Sequence, residues 1–256
     1  MEQKSTLSRL KGWAKRKATR RRSHSDLRAM SRDVREHTPT PDRKPILFFD
    51  ASTRLDDLSL NAAFAILSSW SLTLQGVPVV HFVCSAGLNP CVLGTNRKDP
   101  NAAPPCADCM KQSDATFSNS PVSKFTFQPD PALEEALAPL NLVQLMAFEY
   151  QGIPLGALVL PSIRWILRRH HLLDDQYTRG LYKNYLKSAW SLAGQFEKLL
   201  DETDPETVVV FNGLQYPEAT ARWLARRRGI RVISHEVGMQ PLSAYFTEGD
   251  ATAYDL

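Results

Sequence analysis

After the proline-rich stretch HTPTPDRKP comes a short, uninterrupted apolar run, PILFFD (residues 45–50), of the kind a parallel strand buried on both faces requires. LNAAFAILSSWSLTLQG then shows helical spacing and stops at Gly76, and VPVVHFVC (77–84) repeats the strand pattern, so the grammar is β-α-β. KFTFQ (124–128) is a weaker strand. PALEEALAPLNLVQLMAF reads as a helix opening on Pro131, where a missing N–H costs nothing. Residues 150–173 are apolar but broken by Gly152, Pro154, Gly156 and Pro161, which predicts a packed loop and a short helix. A long helix follows from about Asp175 to Leu200, with Tyr182, Tyr185, Leu186, Ala189, Ala193, Phe196 and Leu200 on one face. The last third reads as strand TVVVFNG, helix YPEATARWLARRRG and strand IRVISHE. The expected fold is therefore α/β: a Rossmann-like parallel sheet flanked by helices over residues 45–256, with a cysteine-rich loop insertion at 84–109 and a basic N-terminal tail.

At 256 residues and 43% hydrophobic content the chain can build a core without staples. Its net charge of +4 hides an asymmetry: residues 1–44 carry 14 Lys/Arg against 5 Asp/Glu, so the tail is strongly basic and the remainder net acidic. Leu7, Leu10, Trp13 and Ala14 recur at helical spacing among Lys11, Lys15, Arg16, Lys17 and Arg20–Arg22, a pattern that suits an anionic membrane surface. Nucleic acid, or no partner at all for a partly helical or disordered tail, accounts for the same charges. No apolar run reaches membrane-span length and the start lacks a signal peptide, so a cytoplasmic location is expected, peripheral on the inner face of the membrane if the tail binds lipid.

In such compartments clustered thiols read as metal ligands before disulfides. Cys84, Cys91, Cys106 and Cys109 are the only cysteines, spaced C-x6-C-x14-C-x2-C, which satisfies tetrahedral structural zinc; an iron–sulfur cluster and redox pairing remain alternatives. Ligand crevices of open parallel sheets lie beyond the carboxyl ends of the strands, so Asp50, Cys84, Asn212 with Gly213, and Glu236 are expected along one rim. Glu236 is the candidate general base, Asp50 a second catalytic candidate, and Asn212, Gly213 and Glu218 the substrate-positioning set. Strand alternation turns His235 to the side away from Glu236 and the crevice. Arg164, Arg168, Arg169, Lys183 and Lys187 are candidates to meet a phosphate group, with a solvated helix face as the plainer alternative. No GxGxxG or GxxxxGK[ST] is present to support nucleotide binding.

VVVFNGLQYPEATARWLARRRGIRVISHEVG (208–238), with YQGIPLG (150–156) and PPCADC (104–109), resembles bacterial surface and capsular polysaccharide glycosyltransferases of the two-Rossmann-domain build. The resemblance is carried by Asn212, Gly213, Glu218, Gly229, Glu236 and Gly238. It implies sugar transfer from a nucleotide-sugar donor to a polysaccharide or lipid-linked acceptor, with this chain as the N-terminal, acceptor-side half of a truncated enzyme and the donor bound by a missing C-terminal domain. The competing expectation is a zinc-stabilised, non-catalytic module whose basic tail binds nucleic acid or membrane.

Overall fold

The computed structural model describes residues 6–51, 58–96 and 102–248. In chain order the elements are α1 (Thr6–Glu36), β1 (Ile46–Asp50), α2 (Leu60–Leu74), β2 (Val79–Cys84), α3 (Cys106–Thr116), β3 (Val122–Phe125), α4 (Pro131–Leu137), α5 (Leu142–Met146), α6 (Leu155–Leu167), α7 (Gln176–Thr203), β4 (Thr207–Phe211), α8 (Tyr216–Arg227), β5 (Arg231–Val237) and β6 (Ala244–Thr247). The fold is mixed α/β. Among the described residues the strands form one six-stranded sheet of order β3-β2-β1-β4-β5-β6, in which all pairs are parallel except the last.

Alternation along the strands divides the core into two layers. Leu47, Phe49, Phe82, Phe125, Val208, Val210 and Val232 pack on one face of the sheet with side chains of α6, α7 and α8, including Tyr182, Phe196 and Leu224. Phe48, Val79 and Val209 point the other way with Ala65 of α2. Val83 joins Leu27 and Val34 of α1, Ile66 and Trp70 of α2, and Phe117 on that second face. The strands read as near-continuous apolar runs because both faces are covered.

Several local choices explain the boundaries. Ser59 caps α2 by accepting from the Ala62 N–H at 3.1 Å, and Asp130 caps α4 with Pro131 in the first turn. The helix expected over 131–148 is two helices, because Asn141 opens a new capping box with Gln144. YQGIPLG is a packing corner: a Cβ on Gly156 would lie 2.5 Å from the carbonyl oxygens of Leu145 and Met146, and its own carbonyl accepts from the buried Tyr182 hydroxyl at 2.6 Å. Any side chain at 156 would therefore drive α6 off α5.

Two expectations need correction. The basic segment is not a tail separate from the body, because α1 packs on α2 and α3 through buried Leu27, Ser31 and Val34. The cysteine window is only partly a loop: Cys84 ends β2, and Cys106 and Cys109 lie in the first turn of α3. The edge strand β6 carries no strong apolar run, and sequence patterning does not reveal it.

Candidate functional site

The connections from β1 run to one side of the sheet through β2 and β3, and the chain returns to place β4 and β5 on the other side. A crevice opens at that reversal, the expected position for a ligand in a parallel sheet. Its volume is about 290 Å³, and its walls include Asp50 from β1, the α2 N-terminus at Ser59 and Asn61, Trp165 from α6, and Phe211, Asn212, Gln215, Glu218, His235 and Glu236 from the β4–α8–β5 unit.

The polar side chains are held in defined orientations. Asp50 Oδ2 lies 2.7 Å from Nδ1 of His81, which is wholly buried between the rings of Phe48 and Phe117. Asn212 takes a left-handed backbone, φ 60°, and its Oδ1 accepts from the Leu214 N–H at 3.1 Å, the local turn that Asn favours. Its Nδ2 donates to Glu236 Oε2 at 2.7 Å, and the Val237 N–H donates to Glu236 Oε1 at 2.9 Å. Both oxygens of Glu236 are thus oriented from within the protein. Across the crevice, Ser162 Oγ donates to Gln215 Oε1 at 2.8 Å and accepts from the Tyr216 N–H at 2.7 Å. That arrangement leaves the Gln215 amino group as the end free to face a ligand. Glu218 sits in the first turn of α8, 1% exposed.

Of the expected site residues, Asp50, Asn212, Glu218 and Glu236 come together on this crevice. Gly213 supplies the turn beneath it, φ 79°, without lining it. Cys84 does not line the crevice: it packs against the larger core cluster and lines a separate small cavity with the other three cysteines. The five basic residues singled out as phosphate contacts do not line the crevice either; Lys187 pairs with Glu134 at 3.2 Å and Lys183 donates to the Ala138 carbonyl at 2.7 Å.

His235 is the residue whose placement the sequence expectation reversed. Register pairs it with Phe211, and alternation sets it on the same sheet face as Phe48 and His81, opposite to Glu236; the crevice lies across the strand ends with walls from both faces, so both residues line it. It is 4% exposed, its ring lies between Phe211 and Phe246, and its Nδ1 has no hydrogen-bond partner among the described residues. Burial lowers its pKa, while the nearby carboxylates of Asp50 and Glu236 pull it back up by a smaller amount. The imidazole is therefore neutral in the fold and protonated in the unfolded chain below about 6.5. Its contribution to stability is present above that value and lost as pH falls. Urea unfolding at pH 7.5 and at pH 5.5 is expected to show a larger acid loss for the wild type than for His235→Gln; equal losses would refute the neutral, buried assignment.

The four-cysteine zinc site is not supported. Among the described residues no group of three or more His, Cys, Asp or Glu is arranged to hold a metal ion. None of the four cysteines forms a disulfide, and they surround a cavity of about 20 Å³ whose other walls are mainly apolar. Burial, with mutual repulsion among the sulfurs, pushes Cys84 up to about 11 and Cys109 up to about 12, and raises Cys91 as well. Backbone N–H groups of Gly87 and Gly94 point at the Cys84 and Cys91 sulfurs at 3.2 and 3.3 Å, so the thiols serve the turns of their own loop. The zinc-stabilised module loses its central premise with them.

Sequence reasoning missed His235, Gln215, Trp165 and the α2 N-terminus. The Ser-Leu-Asn start of the α2 apolar run was a readable cap signal; the indole of Trp165 carried none. Among the described residues no helix is long and apolar enough to cross a membrane. No protein-family model matches the chain, and no curated protein matches it.

Proposed function

We propose that this chain is the acceptor-side, Rossmann-like domain of a glycosyltransferase, and that its crevice holds one sugar unit of a polysaccharide or lipid-linked acceptor. The observation that carries this reading is the composition of the crevice. Asp50, Glu218 and Glu236 offer acceptors, Gln215 and the α2 N-terminus offer donors, and Trp165 offers an apolar plate. A hydroxyl donates and accepts at once, and a sugar ring has a C–H face to lay against an aromatic, so that combination suits a polyol. Among the described residues no lysine or arginine lines the crevice, which favours a neutral acceptor over a phosphate or diphosphate. The volume of about 290 Å³ is at the small end of ligand sites and matches one ring rather than a sugar nucleotide.

In this reading Glu236, oriented by Asn212, takes the proton of the acceptor hydroxyl as its oxygen attacks the anomeric carbon of a nucleotide sugar, whose diphosphate departs with the bonding electrons. Asp50, fixed by His81, orients a neighbouring hydroxyl. Calorimetric titration with methyl glycosides of the common hexoses and N-acetylhexosamines is expected to give saturable binding of at least one. Glu236→Gln is expected to weaken that binding by roughly 10-fold or more, the cost of a hydrogen bond to a charged group. Binding of free nucleoside diphosphates that Glu236→Gln and Trp165→Ala leave unchanged, with no glycoside binding, would overturn the reading.

A further inference from the structure

Helix α1 is continuous, but its two halves carry different charge. Residues 6–23 hold eight Lys/Arg and no Asp/Glu, whereas residues 24–36 hold three of each. The neutral half is the docked one: Leu27, Ser31 and Val34, at i, i+4 and i+7, are buried, with Leu27 and Val34 against Ile66, Trp70 and Phe117, and His24 Nε2 lies 2.7 Å from Gln112 Oε1 of α3. In the basic half Ala14, Lys15, Lys17, Ala18, Arg21 and Arg22 are all exposed.

The direction of the apolar stripe decides what this half can bind. At about 100° per residue, Ala14 and Ala18 fall roughly 140° and 180° round the helix from Leu27, on the side away from the domain. The stripe that fastens α1 to its own protein is therefore a different one, and the small apolar stripe flanked by Lys15, Arg21 and Arg22 faces outward. A polyanion read by charge alone needs no such stripe, whereas a lipid interface uses both components.

We infer that residues 6–23 form a basic helical arm, about 27 Å long, that lies on an anionic lipid surface. Leu27, Ser31 and Val34 fasten the arm to α2 and α3, and Phe117 of the same cluster lines the crevice, so membrane contact holds the crevice at a fixed offset from the bilayer. The arm's partner does not depend on what the crevice binds.

The full chain is expected to co-sediment with vesicles of phosphatidylcholine containing about 30% phosphatidylglycerol at about 0.15 M salt, and not with phosphatidylcholine alone. The triple variant K15Q/R21Q/R22Q is expected to lose roughly 100-fold in partitioning, at about fivefold per charge. The neutral change A14Q/A18Q is expected to weaken vesicle binding several-fold while leaving the thermal unfolding midpoint unchanged, since both positions are exposed. Equal binding to neutral and anionic vesicles, or none to either, would overturn the inference. So would duplex DNA binding that outcompetes vesicles and is indifferent to A14Q/A18Q. Glycoside binding would survive any of these failures.

Discussion

Phe196→Ala is expected to lower the unfolding free energy by about 3–5 kcal/mol, the range for deleting a buried aromatic from a packed core. Phe196 is fully buried in the middle of α7, edge-on to Phe49 at 5.5 Å and against Phe82 at 5.4 Å between ring centroids. It is the point where the long helix grips β1 and β2 at once, so the cavity would open at the contact between layers, where neither strand can move in to fill it. Phe196→Leu keeps most of the volume and is expected to lose less than half as much. Urea denaturation followed by circular dichroism measures both. A loss below about 1 kcal/mol for the alanine variant would mean that α7 does not seat on the sheet as described. Because Phe49 immediately precedes Asp50, the alanine variant is also expected to weaken ligand binding at the crevice although Phe196 does not line it.

The second large effect is alkaline lability. The thiols of Cys84, Cys91 and Cys109 are held protonated by burial, with Cys84 moved from 9.0 to about 11. Between those values the unfolded chain releases protons that the folded chain keeps, so stability falls as pH rises. For Cys84 alone the displacement corresponds to about 2–3 kcal/mol once the pH exceeds its folded value. Tyr182 and Tyr216, also raised by burial, extend the decline at higher pH. Under reducing conditions the wild type is expected to lose stability steeply from pH 8 to pH 10.5. Cys84→Ala, less stable at the start through lost packing, is expected to show a shallower slope, because the charge of Cys84 also contributes to the shift at Cys109. Parallel slopes would show that the thiols do not govern this limb.

The strands and helices with strong periodicity were legible: β1, β2, β4, β5, α2, α7 and α8 all lie close to their expected ranges. What failed was information that resides between elements. Helix α3 begins among Pro104, Pro105 and two cysteines, a context that suggests a metal loop, and becomes helical because its residues pack on α1. The zinc expectation counted ligands along the chain, whereas the arrangement of the four sulfurs, beside Ala51, Leu88 and Leu93, is set only when distant segments pack together, and that arrangement is not one that holds a metal ion among the described residues. His235 and Glu236 were separated correctly by alternation, but the crevice lies across the strand ends and takes walls from both faces of the sheet, so both of them line it and turning His235 away from it was wrong.

From sequence alone came the α/β class, the strand ends as the place to look, and Asp50, Asn212, Glu218 and Glu236 as residues to find there. These follow from local rules, since apolar runs must be buried, turns need their residues and loops at strand ends can be exposed. The tertiary structure alone decided which of those residues share a crevice, that His235 lines it with them, that the thiols are buried and that α1 is fastened to the body. Each of these is set by long-range packing and by the dielectric it creates, and neither is encoded in the spacing of residues along one segment.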